Sequence, residues 1–453
     1  MELAEYQKVA VEWCLSNRYG ALCLPMGRRK TAIILHAYKI WRHAFGGKML
    51  VVAPPLVAAN SWKQEVEKWG LPFKVVLFAG TPAQRDNLLK KGAVENADIV
   101  VLAYDMLKEL TRLMVYDFKV LVLDEAHRIK NHASKRFELL KPWRDSFDAR
   151  WLLTGTPAPN SVMDLFALGY MIHEKVFGKT ITGFRNRYCH QIYRYTYMDY
   201  ILKPGAYEEI TKAFGAWSMT LTDEFMGGGY PELEQVDVVL DLPPKVRMLY
   251  KSMLKNFVAE LQKGLIVASN AAVKVSKLRQ IASGFLYTQD DDSWVEWLHT
   301  VKIDACVELV SSFQGEPCLI LTHFEAERKA LDAALREAGF EPRHLNALSP
   351  SSLCTDFRDG KVPVLIGHPA SMGEGLNLQG AGRHLVWLSK PWSHGTYVQT
   401  RGRLYRPGGT NQLTEWTVRM EDTVDDMVET ALKTKKSVED VLLDYMKGVS
   451  CAN

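Results

Sequence analysis

Short, continuous apolar runs recur through the first third of the chain, each stopped by a polar, glycine or proline position: ALCLPM, KMLVVAPP, FKVVLFAG, ADIVVLAY, FKVLVLDEAH and RWLLTGTP. A run of Val, Ile and Leu without polar alternation is what a strand needs when both faces of its sheet are covered, as in a parallel sheet. Helical patterns such as TAIILHAYKIWRHA and SWKQEVEKWG lie between the runs, so strand and helix alternate. Near Pro159 the alternation stops and an aromatic, basic stretch follows, FRNRYCHQIYRYTYMDYILKPG, after which Gly227, Gly228, Gly229 and Pro231 punctuate a connection. Helical stretches come next, KVRMLYKSMLKNFVAELQKGL and VSKLRQIASG. Alternation then resumes with EPCLILTHF, EAERKALDAALREAGF, VPVLIGHP, RHLVWLSKP and TEWTVRM. The pattern predicts an α/β protein of two lobes, each a mainly parallel sheet flanked by helices, with a helical insertion between. Residues 1–215 are expected to form the first lobe with a helical protrusion near its end, 216–240 a linker, and 241–453 the second lobe.

Composition narrows the class. The 453 residues suffice for two or three domains with proper cores, and 47% hydrophobic against 24% charged residues is the balance of an ordinary globular protein. Lys plus Arg minus Asp plus Glu is 56 − 52 = +4, so any affinity for nucleic acid must come from charge focused in a groove. Cys14, Cys23, Cys189, Cys306, Cys318, Cys354 and Cys451 form no C-x-x-C pair, which suggests neither a disulfide framework nor a zinc cluster and points to a reducing cytosol. The beginning, MELAEYQKVAVEWC, lacks the basic and apolar regions of a signal peptide, and no apolar run approaches the ~20 residues that span a bilayer. A soluble, cytoplasmic monomer without a membrane partner is expected.

Two features carry chemistry. The first strand runs into Met26-Gly27-Arg28-Arg29-Lys30-Thr31 and then helix. In such a loop, backbone N–H groups and the helix dipole hold phosphates, Lys adds charge, and the hydroxyl ligates magnesium. Arg29 stands where that loop usually has Gly, and Leu24 where its first Gly would be. The same residues could also make a plain helix start with basic neighbours. The second feature is Asp124-Glu125-Ala126-His127 at the end of a buried run, where α/β folds place ligands. Asp124 could hold magnesium and Glu125 could orient and deprotonate an attacking water. Together the two strengthen each other.

LVLDEAHRIKN, LTGTPAPN, GEGLNLQ and QTRGRLYRPG, in this order, resemble the helicase superfamily two motor core, specifically the Swi/Snf-type DNA translocase family with its DEAH-like box. The resemblance extends from Tyr6 to about Ser437 and implies two RecA-like lobes that close on ATP and magnesium. It implies that Gln7 reads adenine, that Met26 to Thr31 cradle phosphates, and that Lys30, Thr31, Asp124 and Glu125 hold phosphate, metal and water. Thr154-Gly155-Thr156 is similar to the motif that couples nucleotide state to nucleic acid, although such a turn also caps a helix. Gln399 through Arg406 fits Q-x-x-G-R-x-x-R. Arg403 and Arg406, three apart on a helix, would act as arginine fingers on the γ-phosphate. Gly375 and Asn377 resemble the adjoining loop that touches nucleotide and DNA backbone. Pro54, Tyr104, Lys130, Thr156 and Thr322 match positions on or near the nucleic-acid backbone, contacts that position a motor without reading sequence. FRNRYCHQIYRYTY could grip DNA or be a packed helical protrusion. No H-x-x-x-H spacing suggests a further metal.

The expectation is an ATPase that translocates on duplex or branched DNA, with unwinding and RNA left open. The alternative is a nucleotide-gated DNA-binding module with little turnover, because of Arg29. A P-loop kinase or GTPase would leave the second lobe unexplained. The length suits viral or bacterial relatives of the family better than nuclear remodellers.

Overall fold

The computed structural model describes residues 2–434 apart from 26, 156, 159–160, 195–196, 223, 228, 263–267, 288–293, 347–348, 350, 373–375, 377, 408 and 410. The chain divides into two compact units, residues 1–192 with 198–228 and residues 193–197 with 229–453.

The first unit contains β1 (Tyr19–Cys23), β2 (Lys48–Ala53), β3 (Val75–Phe78), β4 (Ile99–Ala103), β5 (Phe118–Asp124), β6 (Ala149–Thr154), β9 (Ser218–Met219) and, apart from residues 193–194 and 197, β7 (Cys189–Arg194) and β8 (Tyr197–Leu202). Seven of these make one sheet in the order β3-β4-β2-β5-β6-β1-β9, every neighbour parallel. Successive residues of a strand point to opposite faces. Leu50, Val52, Leu121, Leu123 and Leu152 therefore join one core, and Met49, Val51, Val120, Val122 and Leu153 join another. Two cores, one per face, are why the runs are continuous rather than alternating. Helices Lys30–Phe45 and Pro55–Lys68 cover one of these faces, with Ile33, Ile34, Tyr38, Trp41 and Trp62 buried.

The aromatic, basic stretch is where expectation and structure part. Ile181–Tyr188 is a helix, capped by Thr180, whose Oγ1 accepts from the Gly183 N–H at 3.1 Å. Its Phe184 and Tyr188 pack into the core. Beyond Tyr188, β7 and β8 pair as a separate two-stranded ribbon, and a helix returns at Ala206–Gly215. The aromatic and branched residues of the ribbon favour extended chain.

The second unit contains β10 (Leu233–Leu240), β11 (Phe285–Tyr287), β12 (Val295–Trp297), β13 (Cys318–Leu321), β14 (Arg343–Leu345), β15 (Val364–Gly367), β16 (His384–Trp387) and β17 (Leu413–Met420). Six form a second all-parallel sheet, β10-β17-β16-β13-β15-β14. Leu319, Leu321, Leu365, Leu385 and Trp387 face one core, and Cys318, Ile320, Val364, Ile366 and Val386 the other. Each unit is thus a parallel sheet flanked by helices, the RecA-like lobe architecture. Within 216–240, expected as linker, Ser218–Met219 extends the first sheet and Leu233–Leu240 is the edge of the second.

One buried carboxylate organises the second sheet. Glu415 on β17 accepts from Trp387 Nε1 at 2.7 Å, Tyr397 Oη at 2.8 Å and Gln235 Nε2 at 2.8 Å, with Arg401 Nη1 at 3.6 Å. Tyr397 and Arg401 lie on helix His394–Arg401, so this carboxylate ties that helix to three adjacent strands. Glu415→Ala leaves the donors without their acceptor and is expected to cost about 3 kcal/mol. The change should appear as a lower urea midpoint with the slope retained. A midpoint indistinguishable from wild type would show that the network does not anchor the helix.

Candidate active site

Parallel strands in register bring distant segments to one edge. Cys23 on β1 is level with Thr154 on β6, and Asp124 on β5 is level with Leu153. The carboxyl ends of these three neighbouring strands therefore lie side by side, where open α/β sheets bind ligands. Ala53 on β2 is level with Ala103 on β4, so Pro54 and Tyr104 follow at the same edge. Pro54 caps helix Pro55–Lys68, and Tyr104 is buried.

Lys30 opens helix Lys30–Phe45 and is 9% exposed. Its ammonium donates to the Leu24 carbonyl at 2.9 Å and the Pro25 carbonyl at 3.3 Å, over the loop that leads into the helix. Arg29 caps the helix with φ 51° and ψ 45°, a left-handed conformation that glycine adopts freely and other residues adopt at a cost of roughly 1 kcal/mol. Arg29 has thus taken the backbone conformation of the glycine it replaces. Gly27 also has positive φ, 79°, and both are exposed. Arg28, by contrast, is buried, and its Nη1 donates to the Met226 carbonyl at 2.9 Å. It holds the loop against the turn before Gly228. The Arg28 carbonyl accepts from Tyr6 Oη at 3.3 Å. Thr31 is half-buried on the first turn, and Met26 lies outside the described residues.

Gln7 is 2% exposed, its Oε1 accepting from the Ala4 N–H at 2.8 Å. Its Nε2 is buried with no hydrogen-bond partner. An unsatisfied buried donor costs about 1–3 kcal/mol, which an acceptor on a bound ligand would offset. Such a donor fits a purine edge.

Asp124 ends β5, 6% exposed, and accepts from Trp62 Nε1 at 3.1 Å. Trp62 is a residue that sequence reasoning missed, since its signal is 62 residues away on a helix and no local pattern marks it. Glu125 takes φ 52°, again left-handed, and its Oε2 lies 3.4 Å from His127 Nδ1. A carboxylate and a hydroxyl are the hard oxygen donors magnesium prefers, one or two side chains completed by phosphates, and Asp124 and Thr31 are of that kind. Lys130 lies 3.3 Å from Asp164 Oδ2. Thr154 is fully buried, and Thr156 falls outside the described residues.

In the second unit, helix His394–Arg401 stops one residue before Gly402, which caps it. Gln399 is on the helix, half-buried, whereas Arg403 lies in the turn beyond it and Arg406 in the irregular chain that follows, rather than on it as the spacing implied. They still converge: Arg403 Nη1 and Arg406 Nη2 donate to the same carbonyl, that of Leu376, at 3.4 and 3.1 Å. The Leu378 N–H donates to the Arg403 carbonyl at 3.1 Å, so the two motifs are stitched together. Gly375 and Asn377 of that loop lie outside the described residues. Thr322 is buried after β13, its N–H donating to the Gly367 carbonyl at 3.0 Å. Burial and the nearby Arg279 and His368 push the neighbouring His323 down to about 3, so near pH 7 it is neutral and brings no charge to a phosphate.

With this geometry in view, the comparisons with known proteins are consistent along the chain. Residues 6–278 match the SNF2-related domain, and residues 301–408 the helicase conserved C-terminal domain. Protein p41 of Acyrthosiphon pisum secondary endosymbiont phage 1 is 30% identical over 468 aligned positions, covering 98% of each chain. Nuclear protein STH1/NPS1 of Saccharomyces cerevisiae is 33% identical over 40% of this chain and 14% of its own. The chromodomain-helicase-DNA-binding protein 1-like of Danio rerio is 22% identical over 98% of this chain and 44% of its own. The chain thus spans less than half of these two eukaryotic relatives. Among solved structures, the Sulfolobus solfataricus SWI2/SNF2 ATPase core in complex with dsDNA aligns over 96% of this chain and 91% of its own, at 21% identity and a TM-score of 0.46. By its family match and its end-to-end similarity to the phage protein, the chain belongs to the SNF2-related family of helicase superfamily two, the helicase-like motors of Swi/Snf type.

Proposed function

We propose that the protein is an ATP-driven motor that translocates on double-stranded DNA. The observation that carries this reading is the edge of the first sheet, where Lys30 comes after β1, Asp124 ends β5 and Glu125 is next, both strands ending level with β6. Lys30 holds phosphate charge at the start of its helix, Gln7 Nε2 donates to the base, and Thr31 with Asp124 hold the metal. Magnesium, when bound, would neutralise charge growing on the phosphate oxygens. Glu125 orients the attacking water and takes its proton. Arg403 and Arg406, already converging on one carbonyl, offer planar donors to the γ-phosphate. Pro54, Tyr104, Lys130 and Thr322 would border the DNA backbone and fix register without reading sequence. A reducing cytosol suits the six described cysteines, all free and buried. Burial pushes the Cys23 thiol, beside Lys30, up to about 12, so it is inert as a nucleophile.

A second reading deserves one test, because Arg29 is a left-handed arginine where the family loop carries glycine. It is a nucleotide-gated DNA binder that turns over little ATP. Steady-state ATP hydrolysis with no nucleic acid, single-stranded DNA, duplex DNA and RNA separates the two. The motor reading expects stimulation that is greatest with duplex, and no turnover under any condition would overturn it. Arg29→Gly relieves the backbone cost, so it should fold with equal or slightly higher stability and hydrolyse ATP at least as fast. A gain of orders of magnitude would instead favour the binder.

Two substitutions check the assigned roles. Glu125→Gln should bind ATP normally in a fluorescent-nucleotide titration and lose turnover. Retained turnover would refute its part in activating water. Arg406→Ala should keep its DNA affinity at low salt and lose roughly 10³-fold or more in turnover, as removal of an arginine finger does. A loss of DNA affinity at unchanged turnover would show that Arg406 is a DNA contact.

A further inference from the structure

Neither the first sheet nor the candidate active site uses the ribbon β7–β8. Its base is fixed to the preceding helix: the Lys203 N–H donates to the Tyr188 carbonyl at 2.9 Å, and Lys203 Nζ to the carbonyls of Asn186 at 2.6 Å and Arg187 at 3.1 Å. Cys189, the first strand residue, is buried. The next two, His190 and Gln191, point to opposite faces and are both exposed. Tyr193 is 79% exposed, Met198 43% and Ile201 41%. Cys189 belongs to the first unit's core and Tyr200 and Leu202 of β8 pack against it, so the ribbon is anchored, while Tyr193, Met198 and Ile201 stay exposed; large apolar side chains exposed together mark a surface meant to be covered.

Charge and ring chemistry say by what. From Lys179 to Lys203 the sequence also carries Arg185, Arg187 and Arg194, against Asp199 as the one acidic residue in that stretch, and Glu209 from the following helix lies 3.9 Å from Arg187 at the surface. Arg185 stacks on the Tyr200 ring at 4.3 Å and Arg187 on Tyr188 at 4.9 Å. A protein partner selects a contiguous apolar patch depleted of charge at its centre. Here the exposed apolar groups are interleaved with cations and amides. That mixture matches a polyanion that also presents flat apolar faces, which is an unpaired nucleic-acid strand. In a closed duplex the base faces are stacked away, leaving base edges, sugars and phosphates outside.

We propose that the ribbon is a second nucleic-acid site, which does not use Lys30, Asp124 or Glu125 and which binds the unpaired strand beside a duplex. Tyr193 stacks on a base, and Arg185 and Arg187 hold the adjoining phosphates. The proposal deepens the reading of the chain as a DNA motor: it assigns forked or branched DNA, rather than plain duplex, as the preferred substrate.

The test is binding without nucleotide at low salt, by fluorescence anisotropy, comparing blunt duplex with the same duplex carrying an unpaired arm. Wild type should prefer the forked form by roughly tenfold, the scale of one aromatic–base stack. Tyr193→Ala should lose that preference, and Tyr193→Trp should keep it. A 2-aminopurine base in the arm should be quenched by wild type and Tyr193→Trp but not by Tyr193→Ala. Because Tyr193 is exposed, the variants should melt with wild type. Equal affinity of wild type for both forms, an unquenched probe, or a preference that survives in Tyr193→Ala each overturns the proposal. The last outcome leaves the ribbon as a surface for a protein partner. Loss of the motor reading shows separately, as wild-type protein without DNA-stimulated ATP hydrolysis, and does not affect these binding results.

Discussion

The constraint on which the first unit depends is that neighbouring strands run parallel and end level. Cys23, Thr154 and Asp124 sit at the carboxyl ends of strands that are far apart in the chain, and only the sheet's register makes them neighbours. An antiparallel arrangement of the same strands would send half of these ends to the opposite edge. Parallel connection needs a crossover helix after each strand, which covers both faces and forces the strands to be apolar throughout. The burial that makes the sheet stable and the alignment that makes a site are therefore consequences of one topology.

That topology was largely legible in the sequence, because a doubly covered strand writes itself as an unbroken apolar run. The runs at Leu50, Val100, Val120 and Leu152 all fall on sheet strands. Other elements had weaker signatures. Leu233–Leu240 lies at a sheet edge with alternating exposure, and its charged positions read as connection. Arg343–Leu345 is only three residues long. The β7–β8 ribbon turns only Cys189, Tyr200 and Leu202 toward the core, too few to leave a pattern. Within the site, motif residues with fixed spacing were visible. Their supports were not: Trp62 behind Asp124, the Met226 carbonyl on Arg28 and the Glu415 network are contacts across long sequence distances that no local period encodes.

The two left-handed residues share a physical logic. Among the described residues four non-glycine positions have positive φ, and Arg29 and Glu125 are two of them. One follows β1 and the other follows β5, each where a strand must turn abruptly at the sheet edge. A sharp turn lets side chains and N–H groups converge at that edge. The strain is tolerated because the flanking strand and helix fix the backbone on both sides.

The Lys30 ammonium carries a consequence for how the loop behaves between ligands. A cation 9% exposed cannot stay bare, and the loop supplies two of its own carbonyls as partners. On the proposed reading, an arriving phosphate does not strip water from a naked charge. It displaces backbone oxygens, and when it departs the same oxygens recapture the ammonium. The resting loop is thus an internal competitor for its own ligand, which tempers affinity for substrate and eases the exit of product.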